Sequence, residues 1–109
     1  MQINDLVTSA ETLGPVSKEA ALAYMRSRAD LTARVNASME ALPSIHALTG
    51  GNPLSVMRDN HDNHSSLMKT VFLLNNYTML AMVLPWVYRT YTSRGFQLEY
   101  FPTVLHAWQ

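Results

Sequence analysis

The apolar positions of this chain recur at helical spacing, and no segment shows the strict alternation that is typical of a half-buried strand. The pattern predicts five helices, at about 3–13, 17–42, 53–74, 77–94 and 98–108. The segment 43–52 contains Gly50 and Gly51, whose backbone freedom favours a hinge. We therefore predict one all-α domain over residues 1–109, a bundle of four to five helices of which two are long.

Individual residues mark the ends of these helices. Ser17 is a candidate N-cap for the first long helix, and Asn52 before Pro53 is one for the second. Gly95 stands where a left-handed residue would end the 77–94 helix. Pro85 lies inside that helix, so we expect a kink there or a break into two short helices.

The distribution of aromatic and charged residues and the length of the first long helix both bear on whether the chain associates with another subunit. Nine of the ten aromatic residues follow position 70, where only three charged residues occur, so the last third should form much of the core. A helix over 17–42 would be about 37 Å long, more than a compact chain of this size covers. Part of it should then pack against another subunit.

The charge pattern excludes one class of partner and favours another. Eight basic and eight acidic residues cancel, and the basic ones never run together, which argues against nucleic-acid binding. A surface with 15% charged residues and no net charge favours association, so we expect a homo-oligomer. The apolar stretch 71–88 contains two asparagines and a proline, and we expect no membrane span.

The absence of cysteine excludes disulfides, thiolate zinc sites, iron–sulfur clusters and cysteine nucleophiles. The first five residues have neither the basic start nor the apolar run of a signal peptide. Together these observations favour a cytoplasmic protein.

Two histidines form the main candidate site. His61 and His64 share one narrow helical stripe with Met57 and Met68, whereas Asn60 is expected to project elsewhere. The histidines could converge on a metal, a cofactor or an anionic ligand, although two nitrogens alone do not close a zinc site. The alternative is that both are partly buried and hydrogen-bonded to tyrosine hydroxyls or backbone carbonyls, or that they line a subunit interface.

A second candidate cluster is the aromatic segment that follows Pro85. Its residues Trp86, Tyr88, Arg89 and Tyr91 could stack on a planar ligand or supply interface hot spots. The alternative is that Trp86 fills the core together with Phe96 and Phe101, leaving the tyrosines half exposed.

Enzymatic signals are absent from the sequence: it has no nucleophile elbow, no phosphate loop and no dinucleotide fingerprint. We therefore expect a non-catalytic sensory, regulatory or protein-interaction module, acting as a homodimer and belonging to a larger signalling protein. The alternative function is a helical bundle that binds a small molecule or metal through His61 and His64 with the Trp86–Tyr91 segment. No particular cofactor is indicated.

Overall fold

The computed structural model describes residues 3–109, and its regular structure is helical throughout that range. The helices are α1 (Ile3–Glu11), α2 (Lys18–Glu40), α3 (Ile45–Leu48), α4 (Leu54–Leu74), α5 (Tyr77–Ser93) and α6 (Tyr100–Trp108). The all-α class is confirmed. The described chain has six helices rather than four to five, because the short α3 lies inside the segment predicted as a hinge.

Two of the predicted helix ends are confirmed and one is wrong. The Ser17 hydroxyl accepts a hydrogen bond from the backbone N–H of Ala20 at 3.1 Å, and Gly95 is left-handed with φ 100°. Asn52 does not cap α4; its side-chain amide donates to the carbonyls of Thr49 and Arg94, at 2.7 and 2.9 Å. The asparagine therefore joins two loops instead of starting a helix.

Pro85 does not divide α5, which continues from Tyr77 to Ser93 with the proline inside it. The helix begins immediately after α4 ends, because Asn75 is left-handed with φ 49° and Asn76 accepts a hydrogen bond from the N–H of Met79. Consecutive asparagines therefore end one helix and start the next.

The helices pack into a flat molecule of 37 × 33 × 17 Å with a radius of gyration of 14.4 Å, against about 13 Å expected for this length. Helix α2 packs on α4 and α6, and α5 packs on α1 and α4. Their shared core contains Val35, Met39, Ile45, Leu48, Met57, Phe96, Tyr100, Phe101 and Val104. Across residues 3–109, no helix combines the length and apolar character needed to cross a bilayer.

The predicted hinge 43–52 is a packed segment that closes against the loop between α5 and α6. The backbones of Gly50 and Gly95 cross so closely that a Cβ on Gly50 would lie 2.5 Å from the carbonyl carbon of Gly95. The N–H of Gln97 donates to the carbonyl of Leu48 at 2.9 Å, and Leu48 is buried. We call this contact between 48–52 and 94–97 the loop crossing.

Candidate functional site

Two long helices, α2 and α4, meet along a line of polar side chains. On α2 these residues occur every fourth position, which places them on one face. We call the whole line the polar seam; it comprises Arg28, Thr32, Asn36 and Glu40 of α2, with Arg58, His61, Asp62 and Ser65 of α4. Its hydrogen bonds pair the end of one helix with the start of the other, so the two helices run antiparallel.

Side chains with charge lie at the two ends of the polar seam. At one end, the Arg58 guanidinium donates to Glu40 Oε1 through Nη2 at 2.8 Å and Nε at 3.1 Å. At the other end, Arg28 Nη1 lies 3.2 Å from Asp62 Oδ1. Both pairs are partly exposed, and such pairs contribute about 0–1 kcal/mol each.

Hydrogen bonds of Ser65 and His61 occupy the buried middle of the polar seam. Ser65 is fully buried, and its hydroxyl accepts from Arg28 Nη1 at 3.1 Å and donates to the carbonyl of Asp62 at 2.9 Å. The Thr32 hydroxyl lies 3.1 Å from it and shares its one hydrogen between Ser65 and the carbonyl of Arg28, 2.7 Å away. The buried hydroxyl of Ser65 therefore both donates and accepts within the protein.

His61 is the central residue of the polar seam and uses both of its ring nitrogens. Nδ1 lies 2.6 Å from Asn36 Oδ1 and Nε2 lies 2.8 Å from the Tyr100 hydroxyl. Because the amide oxygen only accepts, Nδ1–H donates to it and the tyrosine O–H donates to Nε2, so the neutral ring satisfies both bonds. Burial, together with a smaller effect of the nearby His64, lowers the pKa of His61 to about 4, and Glu40 opposes this shift.

His64 has a different environment one turn along α4. Its ring is half-buried, its centroid lies 5.3 Å from that of Trp108, and burial lowers its pKa. The two histidines therefore do not converge on one ligand in the same way: the nitrogens of His61 are taken by protein groups, whereas His64 borders open space.

That space is a cleft between α4, α5 and α6 with a volume of about 70 Å³, which we call the α6 cleft. Its lining includes the polar residues Asn60, His64 and Tyr91 and the aromatic residues Tyr88, Phe101 and Trp108. Burial raises the pKa of Tyr91, and the nearby Arg94 opposes that shift. The prediction that Asn60 projects away from the histidine stripe is wrong, because its position one turn before His64 places it at the cleft.

Of the predicted site residues, His61, His64, Tyr88 and Tyr91 border the α6 cleft, whereas Trp86 and Arg89 do not. Positions 84, 87, 88 and 91 share one face of α5, and positions 86 and 89 fall on the opposite face. Trp86 is 59% exposed, so the alternative that it fills the core is also wrong. Phe96 and Phe101 are buried, as that alternative predicts.

The alternative that a tyrosine hydroxyl bonds to the histidines is confirmed for His61, but sequence reasoning did not identify Tyr100 as that tyrosine and missed Trp108 beside His64. The spacing of Phe101, Leu105 and Trp108 predicts a helix but does not say which other helix it contacts. Among the described residues, no three His, Asp or Glu side chains are grouped as metal ligands would be.

Comparison of the chain with protein-family models, curated proteins and solved structures finds no match. The roles assigned to its residues therefore depend on their geometry alone.

Proposed function

We propose that this protein is a non-catalytic helical interaction module that forms a homodimer through the outer face of α5. The observation that carries the proposal is the exposure of Met82 and Trp86, which lie one turn apart on that face and are each 59% exposed. Tryptophan is among the residues that most often dominate binding energy at interfaces. Large apolar side chains in this position are stabilised when a partner covers them.

The charge pattern favours a second copy of the same chain as the partner. In a two-fold symmetric interface each patch faces itself, so a charge near its centre meets a like charge. The stretch 70–88 contains no Asp, Glu, Lys or Arg, so the part of the outer face around Met82 meets its own copy without repulsion, and Arg89, one turn beyond Trp86, is the single charge of α5 on that face.

The shape of the subunit is consistent with pairing across this face. At 17 Å, its thin dimension leaves room for few covered layers of helix, and α1 already occupies another side of α5. Docking of a second α5 would add the apolar cover that the outer face lacks within one chain.

Sedimentation equilibrium from about 10 to 500 µM tests the proposal with Trp86→Glu and a matched control, Leu98→Glu. Leu98 is 65% exposed but lies in the loop before α6, away from the α5 face. We expect dimerisation of the wild-type protein, loss of the dimer in Trp86→Glu because symmetry brings two carboxylates together, and an unchanged dimer in Leu98→Glu.

Two outcomes would overturn this proposal. The first is a wild-type protein that stays monomeric over the whole concentration range. The second is equal disruption by both substitutions, which would mean that added charge acts without regard to its place on the surface.

A further inference from the structure

We infer that the α6 cleft binds a small uncharged ring compound carrying one hydroxyl or amide group. The inference is independent of the proposed dimer, because Met82 and Trp86 do not line the cleft. It depends on three properties of the cleft: free polar groups, absence of lining charge, and size.

The free polar groups are the Asn60 amide, the His64 ring and the Tyr91 hydroxyl. None of the three side chains forms a hydrogen bond with another described residue, in contrast to His61 and Tyr100 beside them, which bond to each other at 2.8 Å. None of their polar atoms is sealed from solvent without a partner, and all three residues line the cleft. A few converging polar groups in an apolar hollow are typical of small-molecule sites.

The lining chemistry selects an uncharged ligand. Among the described residues, no Asp, Glu, Lys or Arg lines the cleft. His64 is neutral at pH 7 because burial lowers its pKa, and Tyr91 keeps its proton because burial raises its pKa. A charged ligand would lose hydration without gaining an opposite charge, whereas a hydroxyl or amide finds both donors and acceptors.

Size and wall shape select a single ring. The cleft volume of about 70 Å³ is well below the roughly 300–1,000 Å³ of sites for larger ligands. Its walls present flat surfaces: Tyr88 stacks on Phe101 with centroids 4.0 Å apart, and Trp108 lies beside His64. Flat walls favour offset or edge contacts with an aromatic ring.

The probe is benzyl alcohol, titrated into the full chain while NMR follows the Trp108 indole and the His64 ring. We expect saturable shifts with a Kd on the order of 1 mM, as befits a fragment of this size. Two analogues separate the contributions: benzylammonium has the same shape and adds a charge, and toluene lacks the hydroxyl. We expect each to bind at least about fivefold more weakly. The exposed Trp86 indole reports non-specific contact.

Variants locate the binding site. Tyr91→Phe removes one hydroxyl from the cleft and should weaken benzyl alcohol binding about threefold to tenfold. Its control, Tyr24→Phe, removes a hydroxyl from a tyrosine that packs against Phe72, away from the cleft, and should leave the Kd unchanged. Asn60→Ala should weaken binding by a similar factor, and Asn63→Ala, on the exposed side of α4, should not.

Three results would overturn the inference. The first is the absence of saturable shifts at Trp108 and His64 at benzyl alcohol concentrations up to 10-fold above the expected Kd. The second is benzylammonium binding as tight as that of benzyl alcohol. The third is a shift at Trp86 as large as that at Trp108, which would show that the probe contacts exposed indoles without a site. Loss of the dimer in Trp86→Glu with unchanged benzyl alcohol binding would leave the inference intact.

Discussion

The two sides of α4 use polar side chains in opposite ways. Toward α2, the buried groups of the polar seam are bonded to one another, down to the fully buried hydroxyl of Ser65. Toward α5 and α6, Asn60 and His64 face a cleft without protein partners. A buried polar group whose hydrogen bonds are formed within the protein fixes how two helices pair, whereas a polar group without a hydrogen-bond partner is available to a ligand.

The largest effect is expected at the loop crossing, which holds the segment before α4 against the segment before α6, for the substitution Gly50→Ala. The added Cβ would collide with the backbone carbonyl of Gly95, and φ 65° at Gly50 is unfavourable for alanine. We expect a loss of about 3 kcal/mol or more in the free energy of unfolding, measured by urea denaturation. If the seam and the cleft fold as one unit, Trp108 fluorescence and far-ultraviolet dichroism should report the same lowered midpoint.

Gly51→Ala is the matched control for this experiment. Gly51 has φ 77° but nothing within 4 Å of its Cβ position, so only the left-handed backbone is penalised, at about 1–2 kcal/mol. Equal losses in the two variants would show that strain, and not the close approach of Gly50 to Gly95, determines stability there.

A second test uses pH, because His61 belongs to the polar seam and also borders the cleft. Its pKa is about 4 in the folded protein and about 6.5 when unfolded, so the unfolded chain binds the proton first as pH falls. The contribution of neutral His61 to the free energy of unfolding is fully present above pH 6.5 and decreases toward pH 4. The decrease is up to about 3 kcal/mol, at 1.36 kcal/mol for each pKa unit. His64 shifts in the same direction.

The comparison variant is His61→Gln, whose amide still offers a donor and an acceptor to Asn36 and Tyr100 but does not titrate. Urea denaturation between pH 4 and 7 should show a shallower loss of stability in His61→Gln than in the wild type. His106→Gln, at an exposed position of α6, should retain the wild-type slope. Identical slopes in all three proteins would contradict a buried, neutral His61.

The smallest effects are expected from removing one tyrosine hydroxyl bonded to the polar seam and one from the α6 cleft. Tyr100→Phe leaves Nε2 of His61 without its donor in a buried place, and we expect a loss of about 1–3 kcal/mol in the free energy of unfolding. Tyr91→Phe removes a hydroxyl that bonds to no described residue, and we expect a change within about 0.5 kcal/mol. Similar losses in both variants would remove the distinction between seam and cleft.

Features set by neighbouring residues were predictable from the sequence. The Ser17 cap and the left-handed Gly95 depend on backbone geometry within one turn, and both are confirmed. Asn52 was misassigned because its carbonyl partner on Arg94 lies 42 residues away, where a local capping rule has no information.

The candidate site was predictable in part for the same reason. The spacing of His61 and His64 places both on the side of α4 that borders the α6 cleft, and Tyr88 and Tyr91 lie on the side of α5 that borders it. Trp86 was misplaced because apolar residues surround much of α5, so periodicity does not select its inner face. The polar seam was not predicted, because its residues meet only through the alignment of α2 against α4, and the spacing within either helix does not give that alignment.

The loop crossing also constrains the order in which the chain acquires its structure. The bond from Asn52 to Arg94 closes a loop that contains all of α4 and α5, so its entropic cost falls once those helices are already packed together. Contacts that form after the rate-limiting step govern how fast the native state opens rather than how fast it forms. We therefore expect the contact between the two glycines to form after the rate-limiting step, so that relaxing it shortens the native lifetime and leaves the refolding rate nearly unchanged.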